Sequence, residues 1–195
     1  MESLAFIQCV GSRDAALGHL WCSKLCCATA LRLANRMKWD RPAAEITLFY
    51  IDIQTFGRDF EGFYEKSKQR IRFIRTIPGD ILPADNSRLL VSYFDGEAKE
   101  EPFDLVVLSV GMMPDAANYD LLKQLGLFES KETFSSGYEN ISLCLEEGVF
   151  TAGALLSPMG IADAAAFGLK AAEEAMRYLA SASSVSIPER PEEFP

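Results

Sequence analysis

The chain holds a single histidine and two tryptophans, and it lacks several features that would settle its class at once. No stretch is long and apolar enough for a membrane span: the uncharged run from Gly148 to Ala162 is too short and is broken by Gly153, Pro158 and Gly160. Basic residues are scarce, with 19 Lys and Arg against 28 Asp and Glu and a net charge of -9. That balance counts against a reader of nucleic-acid phosphates, which would carry a basic patch. It suits docking to a basic partner surface or simple solubility. Met1 and Glu2 lead straight into a strand-like segment, with no basic n-region or apolar h-region of a signal peptide, so the expected location is the cytoplasm. No CxxC is present, which counts against a catalytic dithiol. The lone His19 lies in a Gly/Leu loop and receives no role.

What is present is an α/β pattern. At 195 residues and 49% hydrophobic the chain can bury a core, in one or two small domains. Leu4–Val10, Glu45–Ile51 and Ile71–Thr76 read as strands, the first two as short buried runs. Two further strand candidates are Leu89–Phe94 and Phe103–Val110, separated by the turn-like Asp95-Gly96. Gly148–Ala152 reads as another. Helical spacing runs from Ser23, a candidate N-cap, to Met37, and again over Gly57–Arg70, Tyr119–Leu125 and Ile161–Leu179. Gly126 is placed to end the third of these. In the last helix Ala164, Ala165, Gly168, Ala172 and Ala175 form a stripe of small residues. The Ser-, Pro- and Glu-rich segment after Ala180 reads as a flexible tail. No internal repeat is visible.

Five cysteines is an odd number, and four of them fall between positions 9 and 27. In a reducing compartment such crowding points to metal or redox chemistry before disulfides. Cys9 follows the first strand, Cys22 precedes the first helix, and Cys26 and Cys27 open it. These places meet at the C-terminal edge of a parallel sheet, where α/β folds bind ligands. A 4Fe-4S cluster needs four converging thiolates, and a helix N-terminus favours their charge. Structural zinc also accepts four cysteines, but it prefers CxxC pairs over an adjacent Cys-Cys. Buried free thiols are the third reading. Cys144, in the apolar Ile141–Leu145 stretch, reads as packing.

The string Gln8-Cys9-Val10-Gly11-Ser12-Arg13-Asp14, followed by Cys22-Ser23-Lys24-Leu25-Cys26-Cys27, is similar to the cluster-bearing segment of the A-type subunit of heterodisulfide reductase. It also resembles the related quinone-interacting oxidoreductase subunits. Phe49–Ile53, Gly57, Phe63-Tyr64-Glu65, Ile71–Arg75 and Leu105–Met113 resemble the same family, so the likeness runs from about Leu4 to Leu179.

The resemblance implies a thioredoxin reductase-like core. Residues 1–110 would form a nicotinamide-binding-type, Rossmann-like βαβ domain carrying the cluster on Cys9, Cys22, Cys26 and Cys27. Residues 111–182 would be the returning half of a disulfide-reductase-like FAD domain, and 183–195 the tail. No GxGxxG follows the first strand or stands anywhere in the chain, so the pyrophosphate pocket is expected to be rebuilt around the cluster. Asp52 stands where a ribose-binding acid usually sits, with strand-end duty the expected role. Ser109-Val110-Gly111 would be the crossover into the flavin domain, with Gly111 and Gly153 among the flavin neighbours. Gly153 and Ala154 stand where relatives have Gly-Asp, so Ala154 could offer FAD only backbone contacts. Ile161 and Ala162 would face the flavin at a helix N-terminus. The first half of the FAD site is not in this sequence, so the flavin site is incomplete, and an exposed strand edge and association are expected. The implied function is electron transfer between FAD and iron–sulfur centres in an oxidoreductase, with other subunits of a redox complex as partners and a homo-oligomer as a further possibility. No side chain stands out as a general acid, base or nucleophile. The rival readings are a non-catalytic interaction domain with structural zinc and a degenerate NAD(P)H-dependent disulfide reductase.

Overall fold

The computed structural model describes residues 2–54, 58–113, 115–126, 144–146, 148–155 and 157–182. The expectations for Gly57, Ile141 and the tail 183–195 lie outside them. Two compact units divide the chain, Met1–Met113 and Pro114–Pro195.

In the first unit β1 (Ser3–Ile7), β2 (Glu45–Phe49), β3 (Arg72–Ile74) and β7 (Leu105–Leu108) form one parallel sheet in the order β3-β2-β1-β7. Helices α1 (Cys26–Asp40) and α2 (Phe60–Lys68) cross over between the first three strands. These helices cover one face of the sheet and an antiparallel meander covers the other, so β1 and β2 are buried on both faces and read as unbroken apolar runs. Strand alternation then sends neighbours into different cores. Phe6, Ile46 and Leu48 pack against Ala30, Leu31 and Ala34 of α1 and against Phe60. Ala5, Ile7, Phe49 and Ile74 face the other way, onto Val91, Tyr93 and Phe103. Each large apolar side chain so buried contributes about 1.5–3 kcal/mol.

The second core is closed by an antiparallel meander of β4 (Asp80–Pro83), β5 (Leu89–Phe94) and β6 (Ala98–Phe103). Tyr93 and Phe103 meet Phe49 edge-on, with ring centroids 4.9 and 6.1 Å away. The expected strand Phe103–Val110 is in fact two: Asp104 separates the end of β6 from β7. The reason is local, because Asp104 takes the backbone N–H groups of Glu2 and Ser3 and pairs with Arg88, which breaks the run. The expected N-cap at Ser23 is also corrected. Leu25 holds the cap position without a side-chain bond, and Ser23 is committed elsewhere.

In the second unit α3 (Ala116–Gln124) begins earlier than its spacing suggests, because Asp115 caps it by accepting the Ala117 N–H at 2.9 Å. Strand β8 (Cys144–Glu146) pairs antiparallel with β9 (Val149–Phe150), so the strand expected over Gly148–Ala152 is two residues long. Helix α4 (Ile161–Ala182) lays Ala164, Phe167, Gly168, Ala171, Ala175 and Tyr178 inward. Ala165 and Ala172, expected in the same stripe, are exposed.

Candidate thiolate site

The hydrogen-bond ladder outlives β1 by a few residues, with Gln8 N–H donating to Phe49 O at 3.0 Å and Val10 N–H to Ser109 O at 3.1 Å. Between them the backbone turns left-handed at Cys9, and it does so again at Arg13 and Lys24. Each such non-glycine residue costs about 1–2 kcal/mol, so the surrounding contacts must hold the loop in this shape.

Those contacts can be named. Asp14 and His19 exchange two backbone hydrogen bonds at 2.9 Å, making a miniature hairpin. His19, given no role on sequence grounds, holds Gly11 O through Nδ1 at 2.8 Å and packs on Trp21 with ring centroids 4.6 Å apart. The buried Trp21 donates through Nε1 to Met112 O at 3.1 Å. Ser23 Oγ bonds Ser12 Oγ at 2.9 Å and accepts the Met112 N–H at 2.8 Å. Gly111 lies against this pair with φ +75, and a Cβ there would come within 2.2 Å of Ser23 Oγ and 2.6 Å of Ser12 Oγ. The crossover after β7 therefore has to place glycine at position 111 for the cysteine loop to seat.

This frame carries all four crowded cysteines at the C-terminal edge of the sheet. Cys9 follows β1, Cys22 accepts the Lys24 N–H at 3.3 Å, and Cys26 and Cys27 are the first residues of α1. Three thiols are pushed above the usual range. For Cys9 the main cause is burial, opposed by the Arg13 charge and reinforced by Cys22 and Cys26. For Cys26 it is burial and then Cys22. Cys27 rises to about 11, again by burial first, with Cys9, Cys22 and Cys26 adding to it. The four sulfurs thus lie within electrostatic reach of one another, and as bare thiolates they destabilise each other.

Among the described residues, no group of three or more His, Cys, Asp or Glu side chains already stands as a metal-holding array. The donor chemistry nevertheless fits a thiolate-ligated centre: four soft sulfurs from one loop and one helix start, whose mutual repulsion a bound cationic centre relieves. A second sign is the buried carboxamide of Gln8, next to Cys9, whose Oε1 and Nε2 both lack partners among the described residues.

Arg13 and Asp52 carry no joint signal in the sequence. They form an ion pair across the site, and Gln54 Nε2 donates to the same Asp52 oxygen at 3.0 Å. The Arg13 hydrogen bond is the main cause holding the Asp52 carboxyl below the usual carboxylate range. Asp52 therefore ties the end of β2 to the cysteine loop. Two clefts flank the loop. One, of about 730 Å3, runs from Cys9, Gly11 and Arg13 to Pro78 and Asp80; the other, of about 280 Å3, lies between Cys26, Thr29, Val107 and Met112.

The remaining candidate residues belong to the second unit. Gly153, with φ +67, and Ala154 form a short 3-10 turn up to Leu155. Ile161 and Ala162 are the exposed first residues of α4. None has a hydrogen-bonding side chain, so these positions offer only backbone groups and apolar surface. In the segment between them the Ser157 hydroxyl is buried without a partner among the described residues, a polar group the sequence does not single out.

Fold and site together define a Rossmann-like α/β unit with a four-cysteine loop at the sheet edge where a glycine-rich dinucleotide loop would stand. No protein-family model matches the chain. Curated relatives do. The chain is 37% identical over 182 residues to the A-type subunit of the H(2):CoB-CoM heterodisulfide,ferredoxin reductase of Methanothermobacter thermautotrophicus, an alignment covering 89% of this chain and 28% of the relative. It is 35% identical to an A-type iron-sulfur subunit of the CoB--CoM heterodisulfide reductase of Methanopyrus kandleri, covering 92% and 29%. For the A-type subunit of the ferredoxin:CoB-CoM heterodisulfide reductase of Methanosarcina mazei the identity is 34%, covering 91% and 23%. Among solved structures, the FAD-bound cadaverine monooxygenase DfoA of Erwinia amylovora aligns with 100% of this chain and 55% of its own, at 10% identity and TM-score 0.48. The chain is homologous to one segment of the A-type subunit of heterodisulfide reductase. It spans under a third of the length of these curated relatives.

Proposed function

We propose that this chain is the cluster-bearing and flavin-facing part of an oxidoreductase subunit, passing electrons between FAD and iron–sulfur centres. The observation that carries the reading is geometric: one braced loop and the first residues of α1 bring Cys9, Cys22, Cys26 and Cys27 to the C-terminal edge of the parallel sheet. Homology to proteins named as heterodisulfide reductase subunits supports it, as does the description of the Methanopyrus kandleri relative as an iron-sulfur subunit.

In this reading Cys9, Cys22, Cys26 and Cys27 hold a 4Fe-4S cluster, while Gly153, Ala154, Ile161 and Ala162 of the second unit border an FAD whose site this chain completes only in part. Bound there, the cluster supplies one-electron chemistry and the flavin two-electron chemistry. The chain's own residues do the rest. The four thiols give up their protons to become ligands, a step that burial of Cys9, Cys26 and Cys27 opposes until a centre is present. Arg13 offsets negative charge beside Cys9, and Asp52 fixes the guanidinium in place. Trp21, Ser12 and Ser23 keep the loop closed and limit access of water. At the start of α4, free N–H groups favour an anionic flavin ring. The partners are other subunits of a redox complex, and the compartment is the cytoplasm. Among the described residues no helix is long and apolar enough to cross a membrane.

Electron paramagnetic resonance of the anaerobically reconstituted chain tests this reading. Reduction with dithionite is expected to give the signal of a reduced 4Fe-4S cluster. A colourless, silent protein holding zinc would replace electron transfer with a structural role.

A further inference from the structure

Gln8 supports a step beyond this reading, and the step rests on the thiolate centre proposed above. The residue is 2% exposed, and among the described residues neither side-chain polar atom has a hydrogen-bond partner. A buried amide left unsatisfied costs roughly 1–3 kcal/mol, so its presence calls for a partner that arrives later.

Its position says which one. The backbone N–H of Gln8 still bonds Phe49 O, so strand geometry holds one residue past β1. Alternation therefore puts Gln8 on the same face as Phe6, which packs on Ala30, Leu31 and Ala34 of α1. One rung further along that face α1 begins, with Cys26 and Cys27 as its first residues. Cys9 follows Gln8 directly in the chain.

We propose that Gln8 Nε2 donates a hydrogen bond to a sulfur of the thiolate-ligated centre, so that Gln8 positions the centre and raises its reduction potential. An N–H aimed at a sulfur stabilises the extra electron of the reduced state, and such bonds are among the levers that set cluster potentials. The acceptor Oε1 then needs only one buried water.

The test is Gln8→Met in the whole chain, a swap close in volume that removes the donor. Without metal the variant unfolds at a higher temperature than wild type, because an unpaired amide has been replaced by an apolar group. Loaded with iron, it shows a more negative midpoint potential and loses iron roughly 10-fold faster. Opposite signs in the two states are the signature; a purely structural Gln8 moves both stabilities together and leaves the potential unchanged, which overturns the proposal. Should the variant fail to fold, wild-type protein carrying isotope-labelled glutamine side-chain nitrogen is examined by electron–nuclear double resonance. Coupling to the reduced centre supports the bond, and its absence overturns it. A wild-type chain that takes up no iron overturns this proposal together with the cluster reading. A chain that keeps its iron while ignoring Gln8 overturns this proposal alone.

Discussion

In the first unit the parallel sheet is buried on both faces, with Phe6, Ile46 and Leu48 under the helices and Ile7 and Phe49 under the meander. In the second unit the longest helix, α4, keeps Ile161, Leu169, Met176 and Leu179 exposed. The difference matters for where chemistry can be held. A loop with three left-handed non-glycine residues persists only on a frame that resists its relaxation, and the double core supplies that frame. Gly153, Ala154, Ile161 and Ala162 offer backbone groups on elements of the second unit whose described residues are mostly exposed or half-buried. Their geometry therefore depends more on whatever else binds there.

Matched substitutions sharpen this contrast. Leu31→Ala, at a residue 0% exposed in α1, should cost about 2–5 kcal/mol, whereas Leu169→Ala, 76% exposed in α4, should stay within about 0.5 kcal/mol. Urea unfolding of both variants checks this, and an equal loss would mean that the exposed side of α4 is covered in solution. Next in size is the glycine pair. Gly111→Ala forces a Cβ onto Ser23 and Ser12 at positive φ and should lose roughly 2–4 kcal/mol. Gly168→Ala meets nothing within 4 Å inside a helix and should gain about 0.5–1 kcal/mol. Thermal unfolding that gave both the same sign would break the contrast.

The smallest effect concerns the clamp on β1. The backbone N–H groups of Glu2 and Ser3, with Arg88 assisting, hold the Asp104 carboxyl below its usual range. A folded-state pKa lowered in this way adds stability above the unfolded carboxylate pKa, and the gain is lost as pH falls through the folded value. Asp104→Asn should therefore lower the melting temperature slightly at neutral pH and leave it unchanged near the acid end. A pH series of melting curves reads this directly.

The parts of this fold that can be read in the sequence are those whose signal is local. Buried runs such as Glu45–Phe49 and helical spacing such as that of α1 mark their elements without reference to the rest of the chain. The meander is harder. β6 reads Ala-Lys-Glu-Glu-Pro-Phe, with one buried residue and a proline, and β4 ends in Pro83 with most of its residues exposed, so neither shows the apolar pattern of a buried strand. Pairing with β5 makes them strands.

The site divides in the same way. Cysteine spacing marks Cys9, Cys22, Cys26 and Cys27 because thiols are rare. Ser23 reads as a helix cap because its actual partners, Ser12 and the Met112 backbone, stand 11 and 89 residues away in sequence. Asp52 is singled out at the end of its strand, but its pairing with Arg13 escapes for the same reason, the two being 39 residues apart. Gln8 is an ordinary polar residue until its burial without partners is seen.

The most direct test of the central claim is the iron and acid-labile sulfide content of the chain after reconstitution without oxygen, beside a variant with Cys26→Ser and Cys27→Ser. The account predicts about four irons and four sulfides per wild-type chain, as a 4Fe-4S cluster requires, and loss of both in the variant. A wild-type chain that takes up no iron, or holds a single zinc instead, would contradict it.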